Sequence, residues 1–257
     1  MQESLTVIKI GGSIIFDQNG DINKNLVSEL FKIFSFLETR KIVVIGCGRK
    51  LHELTYKYNL TDKPERKKGE IMGLGERLSG FFEIYKAIEK NLLEIANFVP
   101  EFERPLIIHP ANLFIKKSEG SKGRHEIVWL DERVFDNTHY LLTSGGIVLD
   151  QKIFVSAISS DTIASYLAKK YGANKMILLS DVDGVYSNIN GGELLREVSL
   201  KKIRNYKVIG GMSSKLRRIK LAVNEGIPTV IINGNFPERI REVLLKGKTK
   251  ICSEILP

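Results

Sequence analysis

Three glycine-bearing segments of this chain carry charged side chains of the kinds that handle phosphate. Lys9-Ile10-Gly11-Gly12-Ser13 closes a short apolar run. Glycine lets backbone amides approach a phosphate with no Cβ in the way, and Lys9 would aim a cation at the same group. Taken alone, the segment also reads as a tight turn with a solvated lysine, because it is not a Walker A loop. Ser180-Asp181-Val182-Asp183-Gly184-Val185-Tyr186 follows a buried strand, and open α/β sheets place small-molecule sites at such carboxyl ends. Its carboxylates can bind Mg²⁺ or ribose hydroxyls, or cap a turn. Gly210-Gly211-Met212-Ser213-Ser214-Lys215 again joins a glycine turn to a cation. The plainer reading is a hinge ahead of a basic helix carrying Lys215, Arg217, Arg218 and Lys220. Ser159-Ser160-Asp161 forms a short polar turn before a helix.

Gly46-Cys47-Gly48 ends a second apolar strand and invites a dinucleotide-binding reading. That fingerprint needs a third glycine where Leu51 stands, and a following acidic residue is not evident, so the reading is set aside. The loop suits an anion instead, with Arg49, Lys50 and then His52 following the two glycines.

The elements that must position these residues alternate. Strands are predicted at 5–10, 41–45, 106–109, 140–143, 147–149, 153–155, 175–180 and 228–232. Helices are predicted at 24–39, 52–58, 76–98, 161–171, 214–225 and 237–245, with a loop or hairpin at 115–126 and a loop at 181–193. Such alternation argues for an α/β fold with a mainly parallel sheet covered on both faces. The character of the chain changes near 157–160, giving an amino-terminal lobe (1–157) and a carboxy-terminal lobe (158–257) on one shared sheet. The stripe Leu78, Phe81, Phe82, Ile84, Tyr85, Ile88 and Leu92 reads first as core and second as the lining of an apolar acceptor pocket.

The 257 residues are 43% hydrophobic and 27% charged, ordinary for a globular protein. The net charge is +9 and the pI about 9.4. A basic surface draws nucleic acid, anionic lipid or phosphorylated small molecules, or is simply a solvated lysine-rich face. No basic run is interleaved with aromatics as in single-strand binders, so no nucleic-acid partner is expected. The densest cluster, Lys63 to Lys68, contains Pro64 and Glu65 and reads as an exposed loop. Cys47 and Cys252 have neither metal-ligand spacing nor a disulfide framework. A reducing, cytoplasmic setting is the expectation, with no signal peptide and no membrane partner.

The three glycine-bearing segments resemble the core motifs of the amino acid kinase superfamily, which includes acetylglutamate, aspartate, glutamate, carbamate, uridylate and isopentenyl phosphate kinases. Two further segments resemble the isopentenyl phosphate kinase branch: the glycine loop leading to His52, and Ile232-Asn-Gly-Asn-Phe-Pro-Glu-Arg-Ile240. Ser159 to Ile163 falls where that branch has a similar aspartate-bearing segment. The resemblance implies a three-layer αβα sandwich with an open sheet, ATP as phosphoryl donor with Mg²⁺ carried by its phosphates, a small anionic acceptor, and a homodimer. By matching positions, Lys9 and Lys215 would clamp the transferring phosphoryl group and Asp161 would orient them. Gly11, Gly12 and Gly48 would donate backbone hydrogen bonds, and His52 would hold the acceptor's own phosphate. Gly46, Cys47, Arg49 and Gly145 would complete the acceptor side. Ser180, Asp181, Asp183, Gly184, Tyr186 and Gly211 would belong to the nucleotide side. Isopentenyl phosphate is the first acceptor implied. A carboxylate, a phosphonate, another phosphomonoester and a catalytically silent nucleotide-binding regulator are the alternatives.

The acceptor half departs from the branch. Phe16-Asp17-Gln18 stands where the branch has Thr-Asp-Lys, so a phosphate-binding lysine is missing. Cys47, Arg49, Lys50 and Leu51 replace four positions of its acceptor loop, and Gly145-Gly146 replaces a Gly-Asp pair. Arg49 or Lys50 is expected to supply the lost cation.

Overall fold

The computed structural model describes residues 4–61, 73–118, 125–130, 133–136, 138–188, 192–205, 211–246 and 249–257. The first half forms β1 (Leu5–Ile10), α1 (Gly12–Ile15), α2 (Lys24–Phe34), β2 (Arg40–Ile45), α3 (Gly48–Lys57), α4 (Leu74–Ala96), β3 (Leu106–Ile107), α5 (Pro110–Leu113), β4 (Phe114–Ser118), β5 (His125–Leu130), α6 (Arg133–Asp136), β6 (Tyr140–Ser144), β7 (Gly146–Asp150) and β8 (Phe154–Ile158). The second half continues with α7 (Ser160–Lys170), β9 (Lys175–Ser180), β10 (Val185–Tyr186), β11 (Leu194–Leu195), β12 (Glu197–Ser199), α8 (Gly211–Arg218), α9 (Lys220–Asn224), β13 (Thr229–Asn233), α10 (Pro237–Lys246) and β14 (Ser253–Leu256).

Eight strands make the main sheet, in the order β12-β14-β13-β9-β1-β2-β6-β3. The run from β13 to β3 is parallel, and β14 pairs antiparallel with β13. β1 lies between β2 and β9, which is why its six residues are all buried and read as one apolar run. Period-two alternation then sorts its side chains. Val7, with Ile42, Val44, Met176 and Leu178, faces a core shared with α7, α8 and α9. Ile8 and Ile10, with Val43, Ile45, Ile177 and Leu179, face a core shared with α1, α2, α4 and α10. These two cores make the three layers of an αβα sandwich.

A second sheet, β5-β4-β7-β8, stands apart from the main one. Asp150, at the end of β7, ties it together by accepting hydrogen bonds from Ser118 and Ser156 and from the backbone amides of Lys152 and Ile153. The strands expected at 147–149 and 153–155 therefore belong to this sheet. The stretch 115–126 is the strand pair β4 and β5, with residues 119–124 outside the described set.

Other boundaries moved for local reasons. α3 begins at Gly48 rather than His52, because Gly48 adopts φ +75 and turns the chain straight from the strand end into the helix. The strand at 106–109 stops at Ile107, and the His109 ring nitrogen accepts from the Ala111 amide to start a helical turn at Pro110. The helix expected at 214–225 is split into α8 and α9 at Ile219. The Lys63–Lys68 cluster and Gly210 lie outside the described residues. Among the described residues no helix is long and apolar enough to cross a membrane.

Candidate active site

The carboxyl ends of β1, β2, β8 and β9 open onto one cleft of about 910 Å³. It gathers Lys9, Gly11, Gly12, Gly46, Cys47, Gly48, Arg49, His52, Asp161, Ser180, Asp181, Gly211 and Lys215, residues from segments more than 200 positions apart in the chain. The helices that begin at this end of the sheet, α3, α7 and α8, bring the positive ends of their dipoles to the same rim.

Glycines seat this end of the sheet. Gly11, Gly46, Gly145 and Gly234 each follow a strand, and each donates its amide to the last turns of a neighbour: to the carbonyls of Leu179, Ile10, Ile45 and Ser180, at 2.8–2.9 Å. The β1 and β2 loops touch backbone to backbone. A Cβ on Gly12 would lie 2.5 Å from the Gly48 nitrogen, and one on Gly46 would lie 2.4 Å from the Gly12 nitrogen. Gly48 needs its positive φ, and a Cβ there would meet the Phe16 ring at 2.8 Å.

Lys9 shares the Val7 face of β1, which α7 covers. Its ammonium meets the Asp161 carboxylate at 3.0 Å, with side-chain exposures of only 7% and 9%. Asp161 sits in the first turn of α7, whose N-cap Ser159 accepts from the Asp161 amide. Burial pushes the Asp161 carboxyl up, but Lys9, Lys215 and Arg218 outweigh it and hold the group below its ordinary value. Lys215 comes from α8, which packs on the same side of the sheet as α7, and reaches Ser180 Oγ at 3.3 Å. Burial, with repulsion from Lys9, lowers its ammonium to about 8. Two lysines from different elements thus share one buried carboxylate.

On the other wall, burial and then the charges of Arg218 and Lys9 push His52 below its usual value. The Cys47 sulfur lies 3.8 Å from His52 Nε2, and burial raises that thiol to about 11, so it stays protonated near neutral pH. Arg49 turns to Glu53 at 3.1 Å. Lys50 does not line the cleft, and its stem lies against the turn at Gly20 instead. Gln18 lines the cleft and brings no charge.

Four expected site residues fall outside the cleft lining. Gly145 packs against Ser160, where a Cβ would lie 2.6 Å from the backbone nitrogen, and its neighbour Gly146 lines the cleft instead. Asp183 is bound by Arg239 at 2.8 Å and Asn233 at 3.1 Å, both from the 232–240 segment. Tyr186 donates its hydroxyl to Asp183 at 3.3 Å. Gly184 is pressed against Ser253, 2.4 Å from a would-be Cβ. These three brace the loop whose first residues, Ser180 to Val182, reach the cleft. The α4 stripe is core: Ile84, Ile88 and Leu92 are buried, Phe82 is exposed, and none of the stripe lines the cleft. Thr55, Tyr56, Ser160, Met212 and Arg218 also line it. Of these, Arg218 carried a sequence signal, its i,i+3 spacing from Lys215 on a basic helix.

Residues 4–233 match the amino acid kinase family. The chain is 27% identical over 260 residues to isopentenyl phosphate kinase of Methanocaldococcus jannaschii, covering 94% of this chain and 95% of that protein. Similar likeness links it to glutamate 5-kinase of Alkaliphilus metalliredigens (23% over 267 residues; 95% and 92% covered). Acetylglutamate kinase of Lactococcus lactis is 25% identical over 259 residues, with 93% and 87% covered. Among solved structures, an isopentenyl phosphate kinase superposes with a TM-score of 0.79 over 98% of this chain and 99% of that one at 20% identity, a likeness of fold. A matched family, the shared fold and a cleft built on two lysines and strand-end glycines lead to one conclusion: the chain belongs to the amino acid kinase family and is a kinase, a phosphotransferase.

Proposed function

We propose that this enzyme transfers the γ-phosphoryl group of ATP to a small phosphorylated acceptor, with isopentenyl phosphate as the first candidate and isopentenyl diphosphate as its product. The carrying observation is the Lys9–Asp161–Lys215 arrangement, two cations from different elements acting on one buried carboxylate. Phosphoryl transfer spreads negative charge over equatorial oxygens and is accelerated mainly by positioning and electrostatic stabilisation. Lys9 and Lys215 supply that stabilisation, and Asp161 keeps them from repelling each other apart. The amides of Gly12 and Gly48 are the donors for phosphate oxygens, whereas the Gly11 amide, expected to join them, is taken by the Leu179 carbonyl at 2.9 Å. The acceptor phosphate needs no general base, because its oxygen is already anionic. As that oxygen bonds to the γ-phosphorus, the bond to the β-phosphate oxygen breaks and ADP leaves.

ATP fits the carboxy-terminal side of the cleft, where Ser180, Asp181 and Gly211 face it. Mg²⁺ on its phosphates would neutralise part of their charge, and Asp181 is the carboxylate suited to meet it. A phosphorylated acceptor fits the amino-terminal side, where His52 stands beside the Gly46–Gly48 loop. A second reading keeps the donor and takes a carboxylate acceptor. It is favoured by the similar identity to glutamate and acetylglutamate kinases and by the absence of the α4 apolar stripe from the cleft lining. ADP release from Mg-ATP with each acceptor separately tests the proposal. Turnover on isopentenyl or dimethylallyl phosphate supports it. Turnover confined to glutamate, acetylglutamate or carbamate selects the second reading.

A further inference from the structure

The cations of the cleft differ in what they already face. Lys9 pairs with Asp161 at 3.0 Å and Arg49 pairs with Glu53 at 3.1 Å. Lys215 hydrogen-bonds Ser180 and feels the charges of Asp161 and Asp181. Arg218 has no such partner. Its guanidinium makes no hydrogen bond or ion pair among the described residues, yet it lines the cavity. It follows Lys215 by three positions on α8, so the two side chains share a helix face. Its field reaches both walls: it helps hold down the Asp161 carboxyl at the start of α7, and it bears on His52 of α3 more strongly than Lys9 does.

We infer that Arg218, acting with His52, holds the acceptor's own phosphate and so sets the preference for a phosphorylated acceptor. This rests on the phosphorylated-acceptor reading above. A guanidinium offers a planar fork that fits phosphate through two parallel hydrogen bonds. Arg49 and Lys50 are the other cations near the acceptor loop, but the first is engaged by Glu53 and the second lies outside the cleft. Arg218, unpaired among the described residues and within electrostatic reach of His52, is the cation free to meet a dianion.

Arg218 is exposed and makes no hydrogen bond or ion pair among the described residues, so R218Q is expected to fold. Steady-state kinetics with isopentenyl phosphate and Mg-ATP, together with calorimetric binding of isopentenyl phosphate alone, test the assignment. R218Q should raise the acceptor KM and Kd about 10- to 100-fold, the usual worth of hydrogen bonds to a charged group. The KM for Mg-ATP should stay within about twofold, since Lys215 and the nucleotide loop are untouched. R218K should recover part of the loss, as it keeps the charge without the fork. R217Q is the control, because Arg217 hydrogen-bonds Ser213 Oγ at 3.4 Å and does not line the cleft. An unchanged acceptor KM in R218Q, a rise confined to Mg-ATP, or a larger acceptor loss in R49Q would overturn the assignment while leaving the proposed function standing. Wild-type protein that turns over only carboxylates would overturn both.

Discussion

Replacing Asp161 by asparagine isolates the charge that lets Lys9 and Lys215 approach each other. At 3.0 Å, and with both side chains under a tenth exposed, the gross Lys9–Asp161 attraction is about 5 kcal/mol at an effective dielectric of 20. Desolvation offsets part of it, but removing one partner leaves a buried ammonium uncompensated, which costs about 3–5 kcal/mol. For a chain of this length that corresponds to a Tm lower by about 10 °C. Asp161 is held below its ordinary value, so its contribution is fully present above the unfolded carboxylate value of about 3.9 and is lost as pH falls through the folded one. The gap between wild type and D161N should therefore be widest near neutral pH and close in acid. The lysines would also splay, and a misplacement of about 1 Å can cost about 100-fold in kcat. Thermal melts from pH 3 to 8, with kcat at pH 7, read both effects. A D161N protein that melts within about 2 °C of wild type at pH 7 and keeps its kcat would refute the reasoning.

Further outcomes follow from the same geometry. Lys215 titrates at about 8, so kcat/KM, which reports the free enzyme, should fall as pH rises through about 8, with the kcat limb higher because bound phosphates favour the ammonium. A profile flat to pH 9.5 contradicts this. Stability runs the other way: the unfolded chain keeps the lysine proton to higher pH, so Lys215 adds stability between about 8 and 10.4, visible in urea melts as a gain that K215M lacks. K9M should lower kcat about 100- to 1000-fold, the usual loss of a transition-state donor, with little change in KM for Mg-ATP in initial-rate assays. G12A forces a Cβ into the Gly48 backbone and should cost about 1–3 kcal/mol in urea denaturation. H52A should raise the acceptor KM about tenfold and leave the Mg-ATP KM alone.

Much of the frame is legible in the sequence because strand and helix periods are strong there. β1, β9 and α7 fall within a residue of their expected bounds, since each is a buried run or amphipathic stretch closed by glycine, serine or aspartate. What sequence cannot carry is which sheet a strand joins. β7 and β8 look like the strands of the main sheet, yet β7 pairs with β4 and with β8 in the second one, where Asp150 finds Ser118 and Ser156. β12 and β14 are too short to announce themselves and form only by pairing at the sheet edge. In the site, Lys9, Asp161 and Lys215 stand out as charges beside small residues. Asp181 and Asp183 look equivalent in sequence, but only Asp181 reaches the cleft, because Arg239 and Asn233 take up Asp183. Arg49 and Arg218 are separated by their partners in space, Glu53 for one and, among the described residues, none for the other.

The most direct test of the central claim is one reaction containing purified enzyme, limiting Mg-ATP, and equimolar isopentenyl phosphate, glutamate and acetylglutamate, followed by phosphorus-31 NMR. The account predicts paired resonances of a new diphosphate monoester, appearing as ATP converts to ADP and absent with K9M. An acyl phosphate resonance, with isopentenyl phosphate left unchanged, would contradict it.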